Sequence, residues 1–346
     1  GHRLGRVQVQ GVERVLPGVP GHQGTRLRPA WVVFYLLMRP ALAVGCVCAT
    51  PRCARILVRW RCGGRFHATG QWLQLRNLEA VDPTPSIFPT FDGALRSAFR
   101  RETELFVESV FREDRSVVDL LSANYTYVNE RLAAHYGIPN VRGDNFRRVT
   151  LTDPNRYGLL GKGAILMVTA YPNRTSPVLR GSYILESLMG TPPAPPPPNV
   201  EAFKENKEGE KPKTIRQIME THRASPTCNA CHGVMDPLGF SLENFDTIGA
   251  YRSMDRFTRT AIDTSGKLVD GTPVNGVSDL RKALLSRSDQ FAQTFVEKMT
   301  TYALGRGIEY YDMPGIRKIV KNAKPSNFKF STLVMGIVSS PAFQSS

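Results

Sequence analysis

Cysteine is scarce in this sequence and unevenly distributed. Six cysteines occur in 346 residues. Four of them lie among the first 70 residues, at Cys46, Cys48, Cys53 and Cys62. Only Cys228 and Cys231 lie beyond, so a zinc site made of four cysteines is excluded from the larger part of the chain. The remaining question is why two thiols should lie three residues apart.

Lysine and acidic residues are nearly missing from residues 1–70. This segment has eleven arginines, no lysine and one acidic residue, Glu13. It also shows no sustained period of 2 or 3.6, the periods of strands and helices. Arginine without lysine is typical of a GC-rich gene read in the wrong frame. We therefore expect residues 1–70 to be an out-of-frame or disordered segment rather than native coding sequence.

A strong basic bias is absent from the rest of the chain. The formal net charge is +15, but residues 71–346 contribute only 34 basic against 29 acidic residues. Aromatic residues are not interleaved along a basic helix. Nucleic-acid binding needs a basic patch or stripe, so we expect no nucleic-acid partner.

Long hydrophobic runs are absent as well. The best candidate, WVVFYLLMRPALAVGC at residues 31–46, is interrupted by Arg39 and Pro40. It is too short and broken for a membrane span, which needs about 20 apolar residues. Some thirty residues precede it, and AVGC resembles a lipoprotein cleavage site only loosely. We therefore expect no membrane span and find no convincing signal peptide.

Regular secondary structure is predicted from residue 71 onward. The stretch FDGALRSAFRRETELFVESVFRED predicts a long helix, with Asp92 as the cap of its first turn. Leu95, Phe99, Phe106 and Val110 recur at helical spacing and predict the buried face of that helix.

The rest of the chain continues the helical pattern. Two short helices follow up to Gly137, which supplies the positive φ that ends a helix. Ser176 caps a further helix that begins with Pro177, and four prolines at 195–198 predict a stiff polyproline arm. Asp270–Gly271 marks the turn of a small hairpin, and four more helices follow it. The predicted fold is mainly α, with helical modules and one small β-hairpin.

The late cysteine pair belongs to a recognisable motif. Residues 225–240 read SPTCNACHGVMDPLGF, with Cys228, Cys231 and His232 in the pattern Cys-x-x-Cys-His. This pattern is the attachment signal of c-type haem. The thiols lie about one turn apart and form thioethers with the two vinyl groups, while the histidine binds iron from the proximal side. The sequence therefore predicts one covalent haem c, with Cys228 and Cys231 as thioether residues and His232 as the iron ligand.

Three other interpretations of the pair compete with haem. A thioredoxin-like redox pair follows a strand and opens a helix, whereas a polar helix and Ser225-Pro226 precede this pair. A structural zinc site needs four ligands, and beyond the pair only His135, His222 and His232 remain. A disulfide at this close spacing is strained. Haem is preferred, and a zinc-bound structural module is kept as an alternative.

The second axial ligand is not specified by the motif. Met235 lies three residues after His232 and would share its helix face, so packing at the haem edge suits it better than ligation. The other candidates are methionines and histidines elsewhere in the chain: Met189, Met254, Met299, His135 and His222. Pairing with haem propionates suits guanidinium groups, for which the candidates are Arg174, Arg180 and Arg252.

Long stretches of the sequence resemble a known bacterial family. RRETELFVESVFREDRSVVDLLSANYTYVNERLAAHYGIP resembles one module, and GLLGKGAILMVTAYPNRTSPVLRGSYILESLMGTPPAPPPPNV, running on to CNACHGVMDPLGFSLENFDTIGAYR, resembles the next. IDTSGKLVDGTPVNG, YALGRGIEYYD and FSTLVMGIVSSPAFQ resemble a C-terminal module. These modules are similar to those of the large secreted cytochrome-c-domain proteins of Planctomycetes and related bacteria, which are built from serial domains of unknown function.

The resemblance covers residues 71–344 and implies a division of the chain. We expect a non-matching segment at 1–70, a helical module at 71–150, a haem c module with the proline arm at 151–256, and a C-terminal helical module with the hairpin at 257–346. The family implies a haem protein of the periplasm or cell surface. Attachment of haem c outside the cytoplasm implies the same location.

Three functions are compatible with these features. The first is an electron-transfer or redox module of the bacterial cell envelope, whose redox partner the sequence does not identify. The second is a haem-dependent, peroxidase-like oxidoreductase acting on an envelope or polysaccharide substrate, which needs an acid–base residue such as His135 or Glu243. The third is a zinc-bound structural or binding module. Both an enzyme and a non-enzyme thus remain open at this point.

Overall fold

The computed structural model describes residues 67–195 and 212–345, and most of its elements are helices. The prediction for the proline arm from residue 196 onward and that for residues 1–66 lie outside the described residues. The predicted class, mainly α with a small hairpin, is confirmed. A second pair of strands was not predicted.

The first region is built around one long helix. Its elements are α1 (His67–Trp72), α2 (Gly93–Arg112), α3 (Asp119–Ser122), β1 (Tyr125–Val128), α4 (Glu130–Tyr136) and β2 (Arg147–Thr150). The carboxylate of Asp92 accepts a hydrogen bond from the Leu95 amide at 2.6 Å, which confirms the predicted cap of α2. The four residues of the predicted face are all fully buried. Gly137 ends α4 with a φ of 69°.

The unpredicted strands β1 and β2 form an antiparallel pair. Tyr125 lies opposite Thr150, and Val128 lies opposite Arg147. The two strands are separated in the chain by α4, so their pairing is not local and no hairpin turn marks it. The pair packs against α2 through the buried side chains of β1.

The middle region contains the helix that carries the cysteine pair. Its helices are α5 (Gly163–Val168), α6 (Pro177–Tyr183), α7 (Ile215–Arg223) and α8 (Pro226–Phe240). The hydroxyl of Ser176 accepts from the Leu179 amide and Pro177 is the first residue of α6, as predicted. Directly after α6 the chain forms a π-helical segment, Ile184–Leu188.

The last region contains the predicted hairpin and the C-terminal helices. Its elements are β3 (Ser265–Lys267), β4 (Pro273–Asn275), α9 (Gly276–Leu285), α10 (Ser288–Leu304), α11 (Met313–Ala323), α12 (Phe330–Val338) and α13 (Pro341–Gln344). The Leu268 amide donates to the Thr272 carbonyl across the hairpin turn, where Gly271 has a φ of 86°. The four predicted helices are present, and α13 is an additional short one.

One hydrophobic core extends through all three regions. The indole Nε1 of Trp72 donates to the Ser187 carbonyl at 2.6 Å, and the Trp72 ring meets Phe295 edge to face at 5.5 Å between centroids. Trp72 thus joins the first region to the other two. None of the helices in residues 67–195 and 212–345 has both the length and the hydrophobicity that a bilayer crossing requires.

Candidate functional site

The Cys-x-x-Cys-His motif lies in the N-terminal half of α8. The helical path breaks at Ser225 after α7, and Pro226 opens α8 at a position where its missing N–H costs nothing. Cys228, Cys231 and His232 are spaced i, i+3 and i+4, so they lie along one stripe of the helix. All three are half-buried, and both cysteines are free thiols. The three predicted site residues are therefore brought together on one helical face.

Further along α8, the same stripe packs closely against α6. A methyl group at Gly239 would lie 1.9 Å from the carbonyl oxygen of Pro177, and one at Gly181 would lie 2.0 Å from that of Met235. Only glycine permits such an approach of two backbones. The two contacts pair the start of α6 with the end of α8, so the helices are antiparallel. Because Met235 and Gly239 continue the cysteine stripe, the motif extends from a rigid helix–helix contact.

A buried carboxylate holds the ring of His232. Nδ1 of His232 lies 3.0 Å from Oδ1 of Asp236, which is one turn further along α8 and fully buried. The other carboxylate oxygen, Oδ2, lies 3.5 Å from Nε of Arg223 at the end of α7. With Nδ1 engaged, a metal bound by this ring would be bound through Nε2. A ring nitrogen paired with an outer carboxylate is the usual arrangement of a metal-ligating histidine.

His222, near the end of α7, packs against His232. Their ring centroids lie 4.9 Å apart at an interplanar angle of 79°. Two imidazoles on opposite sides of one iron have centroids on the order of 6 Å apart, because each metal–nitrogen bond alone is about 2 Å. The candidate His222 is therefore not placed as a second axial ligand. Burial lowers the pKa of His222, and the neighbouring His232 lowers it further.

Arg216 fastens α7 to the end of α8 and to the hairpin region. Its guanidinium lies over the Phe240 ring, 4.0 Å from the centroid. It also donates to the carbonyl oxygens of Asp263 at 3.0 Å and Ser265 at 2.6 Å. The helix that precedes the motif is therefore fixed by cation–π contact and hydrogen bonds.

A buried ion-pair cluster joins α6 to the segment after α8. Arg180 is fully buried and donates to Oε1 of Glu243 at 3.0 Å and to the carbonyls of Leu242 and Phe245, both at 2.8 Å. Arg252 holds the other oxygen of Glu243 at 3.2 Å. Burial lowers the pKa of Arg180 to about 10. The negative charge of Glu243 raises this pKa, but by less than burial lowers it.

This cluster corrects two interpretations made from the sequence. Arg180 is fully buried, so it cannot pair with a propionate of a haem that is attached to α8. Glu243 is held by two guanidinium groups and is not available as an acid–base residue. A third candidate for propionate pairing, Arg174, is half-buried and stacks over Tyr171 at 4.6 Å.

Three of the four other candidates for the second axial ligand are held by the fold. Met189 and Met299 are buried within it. Nε2 of His135 lies 2.9 Å from the Ile248 carbonyl, and burial lowers the pKa of His135 to about 4. Met254 is at the surface, with 49% of its area exposed. His135, Met189 and Met299 are thus accounted for by the fold.

The residues of the motif meet the requirements of haem more closely than those of zinc. Among the residues that the structure describes, no group of three or more His, Cys, Asp or Glu side chains is arranged to hold a metal ion. Structural zinc needs four ligands, so the zinc alternative has no preformed ligand set there. A c-type haem needs two thiols and an axial nitrogen, which Cys228, Cys231 and His232 supply.

Asp236 was not among the residues predicted from the sequence. The signal was present, because an acidic residue four positions after a histidine lies beside it on a helix. The burial of Asp236 was harder to predict from the sequence. It depends on the entry of α8 into the core, where Leu238 and Phe240 are also buried.

Three protein-family models match the chain one after another. Residues 54–138 match a protein of unknown function (DUF1592), residues 156–255 match a protein of unknown function (DUF1588), and residues 270–343 match a protein of unknown function (DUF1585). No curated protein and no solved structure matches the chain. The first match begins at residue 54, whereas the sequence predicts that the matching region starts at residue 71.

The motif and its supporting residues lie within one of these matches. Cys228, Cys231, His232 and Asp236 all fall inside residues 156–255. The order of the three matches is known from Planctomycete-type cytochrome-c-like proteins of several domains. The chain therefore carries, in series, one domain similar to each of the DUF1592, DUF1588 and DUF1585 families.

Proposed function

We propose that the chain is a c-type haem protein that serves as an electron-transfer or redox module of the bacterial cell envelope. Cys228 and Cys231 hold the porphyrin through thioethers, and His232 binds the iron through Nε2. The single observation that carries the proposal is the stripe on α8, where two half-buried free thiols lie beside a histidine whose Nδ1 contacts a buried carboxylate. When bound, the haem supplies one-electron redox chemistry.

The protein residues would hold the group in position. The contact of α6 with α8 fixes the backbone beneath the motif, so the two thiols and the imidazole keep a constant relative position. Asp236 restricts rotation of the His232 ring through the contact at Nδ1. Arg216 fixes α7, the helix that leads into the motif. A preorganised site of this kind suits electron transfer, because little rearrangement accompanies the change of charge.

Two observations favour electron transfer over a peroxidase-like reaction. Both acid–base candidates from the sequence are engaged elsewhere: Glu243 by two arginines, and His135 by a backbone carbonyl. An oxidative enzyme needs such a residue near the open side of the iron. An electron carrier needs none. Because haem c is attached outside the cytoplasm, the proposal also implies a location in the periplasm or at the cell surface.

Covalent attachment is the first test. The chain is co-expressed with a periplasmic haem-attachment system and exported with an added signal peptide. The product is then examined by haem stain on a denaturing gel and by intact mass. We expect one porphyrin per chain in the wild type and none in the double variant Cys228→Ala, Cys231→Ala. Thr227→Ala, at an exposed position of the same helix, is the matched control and should keep the stain. A wild type without porphyrin mass would contradict the proposal.

The absorption spectrum then separates the two redox functions. An electron-transfer module is expected to give a low-spin reduced spectrum that carbon monoxide does not change. A high-spin spectrum that shifts with carbon monoxide would favour the haem-dependent oxidoreductase instead.

A further inference from the structure

We infer that Asp236 is a positioning residue that lowers the reduction potential of the iron held by His232. The inference rests on the proposed haem function and adds to it the group that sets the properties of the centre. It concerns a residue that the haem attachment signal itself does not include.

The geometry around Asp236 directs one carboxylate oxygen at the proposed ligand. Oδ1 lies 3.0 Å from Nδ1 of His232, within hydrogen-bond distance. The two residues are four positions apart on α8, so the helix itself holds them in register. Asp236 is fully buried, and only 14% of the His232 side chain is exposed. Water therefore competes little for this contact.

The charge of the carboxylate is only partly balanced. Within the part of the chain that the structure describes, Oδ2 accepts no hydrogen bond, and the guanidinium of Arg223 lies within ion-pair distance, with its Nε 3.5 Å away. Arg223 is partly exposed and also approaches Glu220 at the limit of ion-pair distance, 4.0 Å. Most of the hydrogen-bonding capacity of Asp236 is therefore directed at His232. A buried anion with so few partners acts strongly on a neighbouring donor, because the local dielectric is low.

The expected consequence concerns the oxidised and reduced states of the iron. A carboxylate that accepts the Nδ1 proton of a ligating imidazole raises the basicity of Nε2. A more basic ligand stabilises the ferric ion more than the ferrous ion, which carries less charge. The same is true of a nearby negative charge acting directly. Both effects lower the reduction potential, which second-shell hydrogen bonds and burial are known to set in haem proteins.

The test compares the midpoint potentials of matched holoproteins. Wild type, Asp236→Asn and Glu220→Gln are matured with the same haem-attachment system and titrated at one pH, with the haem absorption as readout. Asparagine keeps the size and the acceptor oxygen but removes the charge. Glu220 is a carboxylate on α7 that is half exposed and pairs with Arg216 and Arg223, so Glu220→Gln controls for the loss of a nearby charge. We expect a higher potential for Asp236→Asn, and a clearly smaller change for Glu220→Gln.

The possible outcomes distinguish a failure of the role inferred for Asp236 from a failure of the proposed haem function. A potential of Asp236→Asn that is equal to or below that of the wild type, or shifted no more than that of Glu220→Gln, would overturn the role of Asp236 while leaving haem attachment intact. Wild-type protein without covalent haem would overturn the proposed function, and this inference with it. If Asp236→Asn does not fold, Arg223→Gln replaces it. Removal of the balancing cation should lower the potential, and an unchanged or higher value would overturn the inference.

Discussion

At the scale of single residues, the first region contains a buried charged cluster that the proposed haem site does not use. Glu102 is fully buried on α2. It accepts hydrogen bonds from Oγ1 of Thr126 at 2.5 Å and from the Tyr136 hydroxyl at 2.8 Å, and Nζ of Lys162 lies 3.6 Å away. Burial lowers the pKa of Lys162 to about 8, and Glu102 opposes that change. Three polar groups from three segments thus depend on the carboxylate of Glu102.

Replacement of Glu102 should therefore destabilise the fold strongly. In Glu102→Gln the ammonium group of Lys162 would stay buried without its counter-charge, which costs about 3 kcal/mol or more. The free energy of unfolding, measured in urea at pH 7, should fall by that amount. The matched control is Lys282→Gln, which breaks an exposed ion pair with Asp279 and should change the value by less than about 1 kcal/mol. Equal stabilities of the two variants would contradict the structural role of Glu102.

His135 predicts a dependence of stability on pH. Burial lowers its pKa in the folded protein to about 4, below the ordinary value of 6.5. The unfolded chain therefore binds a proton first, so stability is lost as the pH falls from 6.5 through 4. Over that window the loss is at most about 3 kcal/mol. His135→Gln should flatten the pH dependence of the urea unfolding free energy between pH 7 and pH 4. A slope identical to that of the wild type would show that His135 is not desolvated in the folded protein.

His222 makes a prediction about the haem itself. Because its ring lies edge to face on His232 rather than across an iron, it should not be an axial ligand. We expect His222→Ala to keep covalent haem and the spin state of the wild type, read from the absorption spectrum. Conversion of a low-spin wild-type spectrum to a high-spin one would identify His222 as the second ligand after all. It would also mean that α7 moves when haem is attached.

The candidate site was predictable from the sequence only where it is local in the chain. Cys228, Cys231 and His232 were found because haem attachment fixes their spacing within one turn of helix. Glu243 was misinterpreted because its partner Arg180 lies 63 residues away in the chain. No period or spacing reveals such a pair. The haem itself, predicted from the motif, stays a prediction.

At the scale of elements, the contact between α6 and α8 is the feature that supports the site. Its closeness comes from Gly181 and Gly239, each of which faces the backbone of the other helix. Backbone atoms cannot swing aside as a flexible side chain does, so a methyl group at either position must push the helices apart.

Gly181→Ala should therefore cost about 3 kcal/mol of unfolding free energy, because overpacking forces the backbone to shift. Gly233→Ala is the matched control on α8. Its added methyl group meets only the side chain of Asn229, at 3.3 Å, and alanine is favoured over glycine within a helix by about 1 kcal/mol. Urea unfolding should give a large loss for the first variant and none for the second. A wild-type value for Gly181→Ala would show that the two helices lie further apart than described.

Element boundaries were predicted well where a local cap sets them. Asp92 and Ser176 bond the amides three residues ahead, and both caps are confirmed. The turn at Asp270–Gly271 is likewise a local signal. The strands β1 and β2 were missed because their pairing crosses α4 and is stabilised by packing on α2. The π-helical segment Ile184–Leu188 was missed too, since its residues read as a continuation of α6.

At the scale of the whole molecule, the three family matches do not correspond to three separate cores. The ring of Phe330 in the last match stacks on Phe111 in the first, with centroids 4.1 Å apart and an interplanar angle of 9°. The carboxylate of Asp114 accepts from the amide and the hydroxyl of Ser331 at 2.8 Å and 2.9 Å. Asp114 thereby caps the first turn of α12 from another region. We therefore expect the described regions to unfold as one unit.

Phe330→Ala tests this cooperativity. Loss of a buried phenylalanine lowers the free energy of unfolding by about 3 kcal/mol or more. If the described regions unfold as one cooperative unit, every region loses the same amount. Hydrogen exchange followed by mass spectrometry should then show the slowest amides of α2, α8 and α12 all exchanging faster, by roughly 100-fold at this cost. Tyr310→Ala is the control, because Tyr310 is 85% exposed in the same C-terminal region and its loss should leave exchange unchanged. Faster exchange confined to α12 and its neighbours would mean that the last domain opens alone. The stability of α8, which carries the cysteine pair, would then be set by the middle region without a contribution from the last domain.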